Sequence, residues 1–535
     1  MTMDCHPGRS PAVGRRHMVA TSHPLATLAA RDVLYEGGNA VDAAVAAAAV
    51  LGVVEPQATG IGGDAFVLLY RARDNKILGL NASGRSAQGA TIEEVKRRGL
   101  QTMPPRGILA VTVPGAVDGW CELLEVAGTM HLARVLAPAI HIAREGYAVT
   151  PVVAREWASA VEIGLLAYPS AREAWAPAGR APRAGERFSQ PDLAHALEAI
   201  AEGGRDAFYE GPLAERIVAF SEAEGGWLTR EDFSSHRSSW VVPIGVDYGG
   251  VRLLELPPNG QGIAALVALG ILSRTARKDP RIGSADHLHP MIEAVKLAFA
   301  DRNRYVADPE CARVPVEELL SAEYLEERAA LYDARRAMEA PEPGKPRASD
   351  TVILATADAE GNMVALINSL YFPFGAGLTV PGTGITLHNR GAAFTLDPDH
   401  PNRLEPGKRP FHTLVPAMLL RDGAPLAAFG VMGADIQAQA HVQVVSHLVD
   451  LGMDIQSAID APRFFYLGGT RVALEAPLHA SAAKALSAMG HEVAGPDEVP
   501  FPLSFGAGQG VMHDPETGAW LGGSDSRKDG FALGE

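Results

Sequence analysis

The chain has 535 residues and a formal charge of −16, and so acidic a surface argues against nucleic acid and anionic membranes as main partners. Apolar residues make up 47% and charged residues 21%, the balance of a soluble globular protein with a sizeable core, long enough for two or three domains or one large intertwined one. Cys5, Cys121 and Cys311 form no C-x-x-C pair, so neither a disulfide framework nor a cysteine metal site is indicated, and Cys5 reads as an exposed terminal thiol.

The first residues carry basic side chains but no apolar stretch of the signal-peptide kind. The Ala-rich run 40–54 is too short to span a bilayer, and the cytoplasm is the expected location. Pro24 to Tyr35 has helical spacing of Leu25, Leu28, Ala29 and Val33, and Gly37-Gly38 stops it. Asn39 caps a second helix whose face is almost all Ala and Val, which predicts a buried helix lying close to its neighbour. Ala65–Tyr70 and Ile77–Leu80 flank Asp74-Asn75 as a hairpin. Helices are expected at Val117–Val126 and Pro290–Arg302, the latter with its proline at the tolerated first position.

Residues 334–350 hold three prolines, many charges and little to bury, and read as an exposed linker. The pattern then changes. Thr351–Thr356 and Met363–Leu370 are strands around an Ala359–Asn362 turn, followed by strands at 384–388 and 426–430, a helix near 435–451 and a closing hairpin in 508–523. This mixture suggests layers of sheet covered by helices.

A threonine opening a central strand behind a linker is the arrangement an N-terminal nucleophile needs. Cleavage at Asp350–Thr351 would free an α-amine with a pKa near ~8, which can serve as base for the Thr351 hydroxyl. One such threonine is weak evidence, because threonine is common in strands. The rest of the chain changes the weighting. The block from Pro24 to Phe66, VPGAVDGW, LPPNGQG, ADRNRYVADP, DTVILATADAEGN, PGKRPFHTLVPAM and DAPRF together resemble the γ-glutamyltransferase family of N-terminal nucleophile hydrolases.

That resemblance implies an α+β fold, a four-layer αββα sandwich. It also implies a large subunit, 1–350, and a small subunit, 351–535, intertwined in one core and able to pair as a homodimer of processed heterodimers. Thr351 falls at the family's nucleophile and Ser369 where a second hydroxyl contacts the freed amine. Gly433 and Ala434 fall at the Gly-Gly pair whose backbone N–H groups form the oxyanion hole; such donors are worth roughly 2.7–4 kcal/mol each to a tetrahedral intermediate. No cofactor and no metal is required.

The departures concern the substrate. Where the glutamyl enzymes hold an α-ammonium and α-carboxylate, this chain has Tyr371, Arg390, Ala393 and the pair His412-Thr413. The family's carboxylate-binding arginine is replaced by Ser83, with Arg85 two residues away as a substitute. An ammonium desolvated without an anionic partner is costly. The acyl donor is therefore expected to be a small amide bearing a carboxylate but no α-ammonium, as in the oxamate and glutaryl-amide hydrolases of this branch. The alternatives are a true γ-glutamyltransferase or glutathione hydrolase, and an unprocessed binding protein. The short segment from Phe394 to Lys408 predicts an open pocket.

Blander readings stand beside these. The stretch TGIGGDAF, 59–66, resembles a phosphate loop but lacks the following Lys-Ser/Thr, and reads as a tight, closely packed turn. His287 and His289 lack a nearby third ligand in sequence and read as structural. His412 fits a ligand contact or a hydrogen-bonded core position equally well.

Overall fold

A computed structural model describes residues 8–275, 281–339, 350–499 and 505–535. Cys5 and linker residues 340–349 lie outside them. Two antiparallel seven-stranded sheets face each other. One runs in the order Phe531–Gly534, Met18–Thr21, Asp350–Ala357, Met363–Tyr371, Asp64–Arg71, Lys76–Ala82, Ser239–Val241. The other runs Ala12–Gly14, Ala519–Ser524, Ala507–Asp514, Ala424–Met432, Ala417–Arg421, Val251–Glu255, Ile244–Tyr248. Both sheets thus combine strands from before and after position 350, and neither segment can form either sheet alone.

The inner faces meet through Phe66, Leu68, Ile353, Ala355, Met418, Ala428 and Val511, all buried. The helix Ala40–Val54 covers the first sheet beside Pro24–Tyr35, and Gly262–Leu272 and Ile436–Asp450 cover the second. Every residue of Ala40–Val54 is buried, and its small side chains let the helix lie close to the sheet. Asn39 closes its N-terminus as a capping box with Asp42. These are the αββα layers expected. Among the described residues no helix is long and apolar enough to cross a membrane.

Three expectations need correction. The helix expected at 290–302 runs Ala285–Tyr305, with Ser284 accepting a hydrogen bond from the His287 N–H at 3.1 Å. Pro290 therefore lies inside it, because Ser284 caps better than the residue before a proline. The strand at 384–388 contracts to Ile385–Thr386. The described start of the linker is tied down rather than loose. The Ala337 N–H donates to the Met489 carbonyl at 2.7 Å, and Lys296 Nζ donates to the Met338 carbonyl at 3.0 Å.

Candidate active site

Thr351 is the second residue of its strand. Pairing with Met363–Tyr371 is regular from Ala357↔Met363 to Val352↔Asn368, but the next pair is Asp350↔Tyr371. Ser369 and Leu370 therefore face Thr351 alone, a β-bulge, and bulges re-aim side chains. Here Thr351 Oγ1 lies 3.1 Å from Ser369 Oγ, and both residues are fully buried. The bulge packs on the 59–66 turn: a Cβ on Gly63 would sit 2.4 Å from the Ser369 carbonyl oxygen. Residues 59–63 form the tight turn that the sequence indicates, and residues 64–66 open the strand Asp64–Arg71.

Ser369 Oγ also accepts from the Tyr371 N–H at 2.8 Å and from Arg390 Nη2 at 3.4 Å. Tyr371 has φ 79°, left-handed for a bulky residue, which stores strain of the kind found at functional sites. Its ring lies under the Arg390 guanidinium at 4.1 Å. Arg390 donates from Nη1 to Thr413 Oγ1 at 2.9 Å, while its Nε has no partner among the described residues. Burial pulls its pKa down to about 10, with Tyr371 and Asp64 opposing the shift, so it stays cationic at neutral pH. No carboxylate pairs with it among the described residues. It is a fully buried cation held by hydroxyls and an aromatic face.

Asp64 is the nearby anion that sequence reasoning missed. It pairs across the strands with Ser369 and is fully buried. Its Oδ1 accepts from the Gly84 and Gly115 N–H groups, each at 3.1 Å. His412 Nδ1 accepts from the Leu414 N–H at 3.2 Å, so Nε2 carries the proton and donates to Asp64 Oδ2 at 3.1 Å. Burial penalises the Asp64 charge, but His388, His412 and Arg390 outweigh it and hold its pKa below the usual carboxylate range. Burial, with the Arg390 charge, pushes His412 down to about 3. The imidazole also stacks on Phe66 at 4.6 Å. With both nitrogens used, His412 is a core residue bracing Asp64, and the ligand contact is not available to it. The only sequence signal for Asp64 was an acid inside a glycine-rich turn.

The loop after strand Ala424–Met432 presents Gly433 at φ 117° and Ala434 at φ 63°. Among the described residues no acceptor takes either N–H, so both donors remain for an oxyanion. Alanine in the left-handed region costs roughly 1–2 kcal/mol. Ala434→Gly removes that penalty but adds roughly 0.5–1 kcal/mol of unfolded-state entropy. It is expected to retain self-cleavage on a denaturing gel and to shift urea-melt stability by less than about 1 kcal/mol. Ala434→Pro, with no N–H and φ near −65°, is expected to abolish cleavage.

Arg85 does not join this cluster. Its guanidinium is engaged by Asp308 at 3.3 Å, Glu310 at 2.8 Å and the Gly407 carbonyl at 3.2 Å, which leaves no fork for a substrate carboxylate. Ala393 is partly buried, its carbonyl accepting from Asn402 Nδ2 at 2.8 Å. Thr351, Ser369 and Arg390 are all fully buried. Segment 394–408 is pinned by that bond, by the Phe411 N–H on Asn402 Oδ1 at 2.8 Å and by Lys408 Nζ on the Pro401 carbonyl at 2.6 Å.

His287 and His289 diverge. His287 meets Ser446 at 3.2 Å, whereas His289, Glu293 and His491 bring ligand atoms within 4.8 Å of one another. The third ligand missing from the sequence neighbourhood is thus supplied by the fold. These groups are nevertheless engaged internally. His289 Nε2 donates to the Asp333 carbonyl at 2.8 Å, His491 Nε2 lies 2.8 Å from His289 Nδ1, and Lys296 Nζ pairs with Glu293 Oε1 at 2.8 Å. A buried ammonium on the carboxylate opposes a dication there.

Comparison with known proteins agrees with this layout. Residues 26–535 match the gamma-glutamyltranspeptidase family. The glutathione hydrolase-like YwrD proenzyme of Bacillus subtilis is 39% identical over 532 residues, covering 98% of this chain and 99% of that one. The oxamate amidohydrolase proenzyme of Klebsiella pneumoniae is 37% identical over 539 residues, again covering 98% and 99%. The crystal structure of a cephalosporin acylase from Bacillus halodurans superposes with a TM-score of 0.94 at 43% identity, over 100% of this chain and 98% of that one.

Proposed function

The chain belongs to the gamma-glutamyltranspeptidase family and is an autoprocessed amidohydrolase, and we propose that it hydrolyses small amides whose acyl group carries a carboxylate and no α-ammonium. One observation carries this reading. Arg390 is a fully buried cation beside Ser369 with an unpartnered Nε and no paired carboxylate among the described residues. Asp64 offsets that charge from a distance, but no carboxylate lies within ion-pair reach of the guanidinium among the described residues. A substrate carboxylate would supply that direct contact, and arginine holds one in a bidentate fork. Ala393 stands where the glutamyl enzymes have an acid, and the nearby carboxylate Asp64 is already engaged by the Gly84 and Gly115 N–H groups and His412.

In this reading Thr351 Oγ first attacks the Asp350 carbonyl. The acyl group shifts from nitrogen to oxygen, which breaks the C–N bond and frees the Thr351 α-amine, and water then hydrolyses the ester to release the Asp350 carboxylate and restore the Thr351 hydroxyl. In turnover that amine takes the Oγ proton as the oxygen attacks the substrate carbonyl. The oxyanion rests on the Gly433 and Ala434 N–H groups, and the leaving amine departs with the proton. Water then releases the acid from the Thr351 ester.

The test is steady-state hydrolysis of glutaryl-p-nitroanilide and oxamate against γ-glutamyl-p-nitroanilide. The carboxyl amides are expected to show at least ~10-fold higher kcat/KM, equivalent to ~1.4 kcal/mol of transition-state preference. Arg390→Gln is expected to erase most of that margin through KM. A better rate with the γ-glutamyl compound, and efficient turnover of glutathione, establishes the second reading, a glutathione hydrolase. The similarity to the YwrD proenzyme favours that alternative.

A further inference from the structure

Gln261 stands between the strand Val251–Glu255 and the helix Gly262–Leu272 and is fully buried. Its amide is used completely. Nε2 donates to the Thr413 carbonyl and to the Ala434 carbonyl, both at 2.9 Å. Oε1 accepts from Arg302 Nη1 at 2.8 Å, and the same Nη1 reaches Asp435 Oδ1 at 2.8 Å. Its backbone N–H donates to the His412 carbonyl at 2.9 Å. Two carbonyls demand donors and one guanidinium demands an acceptor, so the amide has a single satisfied orientation.

The two carbonyls belong to the two poles of the site. Thr413 holds Arg390 through its hydroxyl. Ala434 carries an oxyanion N–H in a left-handed conformation that needs external support. We propose that Gln261 is a positioning residue that sets the distance between the carboxylate-holding Arg390–Thr413 pair and the Gly433–Ala434 oxyanion loop. It touches neither substrate nor nucleophile. Its effect passes through the two backbones it joins, and Arg302 with Asp435 keeps its amide from turning. The geometry explains why an uncharged side chain with two donors and one acceptor occupies this point. A carboxylate would set oxygen against two carbonyls, and an apolar group would leave both carbonyls and Arg302 without this partner. The carboxylate half of the inference rests on the function proposed above, whereas the oxyanion half does not.

The experiment compares Gln261→Met and Gln261→Glu with wild type, with kcat counted per self-cleaved chain. The substrates are glutaryl-p-nitroanilide and butyryl-p-nitroanilide, of equal acyl length with and without the carboxylate. A misplacement on the order of 1 Å can cost ~10²-fold in rate. Both variants are therefore expected to lose ~10- to 100-fold in kcat on both substrates, and to raise KM at least ~3-fold on the glutaryl compound alone. A residue with a purely structural role would lower Tm and the cleaved fraction but leave kcat per cleaved chain and the KM difference unchanged. A kcat within twofold of wild type on both substrates overturns the proposal. If wild type shows no preference for glutaryl over butyryl, the proposed substrate class fails, and the butyryl kcat still tests the oxyanion half. Should Gln261→Met not fold, Gln261→Glu with Arg302→Lys, which keeps the amide but removes its forked anchor, is held to the same split.

Discussion

Thr351→Ala is expected to remain a single 56.4 kDa chain and to hydrolyse nothing, whereas the wild type resolves into fragments of roughly two thirds and one third of that mass. The hydroxyl at this position has two successive tasks in the proposed reaction, and alanine removes both. The packing cost is small, since the side chain lost is short and its side-chain partner among the described residues, Ser369 Oγ at 3.1 Å, keeps the Tyr371 N–H and Arg390 as partners. A folded, uncut and inactive protein is therefore the expected outcome, read on a denaturing gel with a thermal melt beside it. Thr351→Ser keeps the hydroxyl and is expected to restore cleavage at a reduced rate. If Thr351→Ala still splits between Asp350 and Thr351, the hydroxyl is not the cleaving group.

Ser369→Ala carries the second largest effect. Its oxygen receives the Tyr371 N–H and the Arg390 guanidinium while lying against Thr351, so its removal loosens the nucleophile, the strained Tyr371 backbone and the buried cation together. A positioned proton-transfer partner is worth ~10²–10⁴ in rate, and both maturation and turnover are expected to slow within that range. The Tyr371 N–H loses its acceptor, at a cost of roughly 1–3 kcal/mol, which a urea melt will register without global unfolding. Ser369→Thr retains the oxygen and should recover most of the rate. An unaltered kcat per cleaved chain in Ser369→Ala would remove this hydroxyl from the site.

The readings that survived are those governed by short-range chemistry. The helix Pro24–Tyr35 was legible because apolar spacing and the Gly37-Gly38 stop are local. The strands around Asn75 and around the 359–362 turn were legible for the same reason. Pro290 misled because a proline is tolerated at a helix start, while the cap that governs this start, Ser284, has a signal no stronger than many other serines. Thr351 and Ser369 were placed by their motifs and lie 3.1 Å apart across the bulge, while Gly433 and Ala434 follow the strand Ala424–Met432 of the facing sheet.

The site's electrostatics lay beyond such reasoning. Arg390 stood out in the sequence by its place in the motif alone; burial sets its head against Tyr371, Thr413 and Ser369 and leaves its Nε without a partner among the described residues. Asp64, Gln261 and Arg302 come from separate parts of the chain and act through through-space charge and hydrogen bonding, which linear spacing does not encode. Arg85 and His412 were plausible ligand contacts by position, yet Asp308 and Glu310 engage the first, and Asp64 with the Leu414 N–H engages the second. The motifs along the chain were enough to mark the family resemblance, and that resemblance implied the layered αββα fold and the place of the candidate nucleophile, because motif order is written in the linear sequence. Only the tertiary structure decided which buried charges lack a partner, because desolvation and pairing depend on what surrounds a group in space.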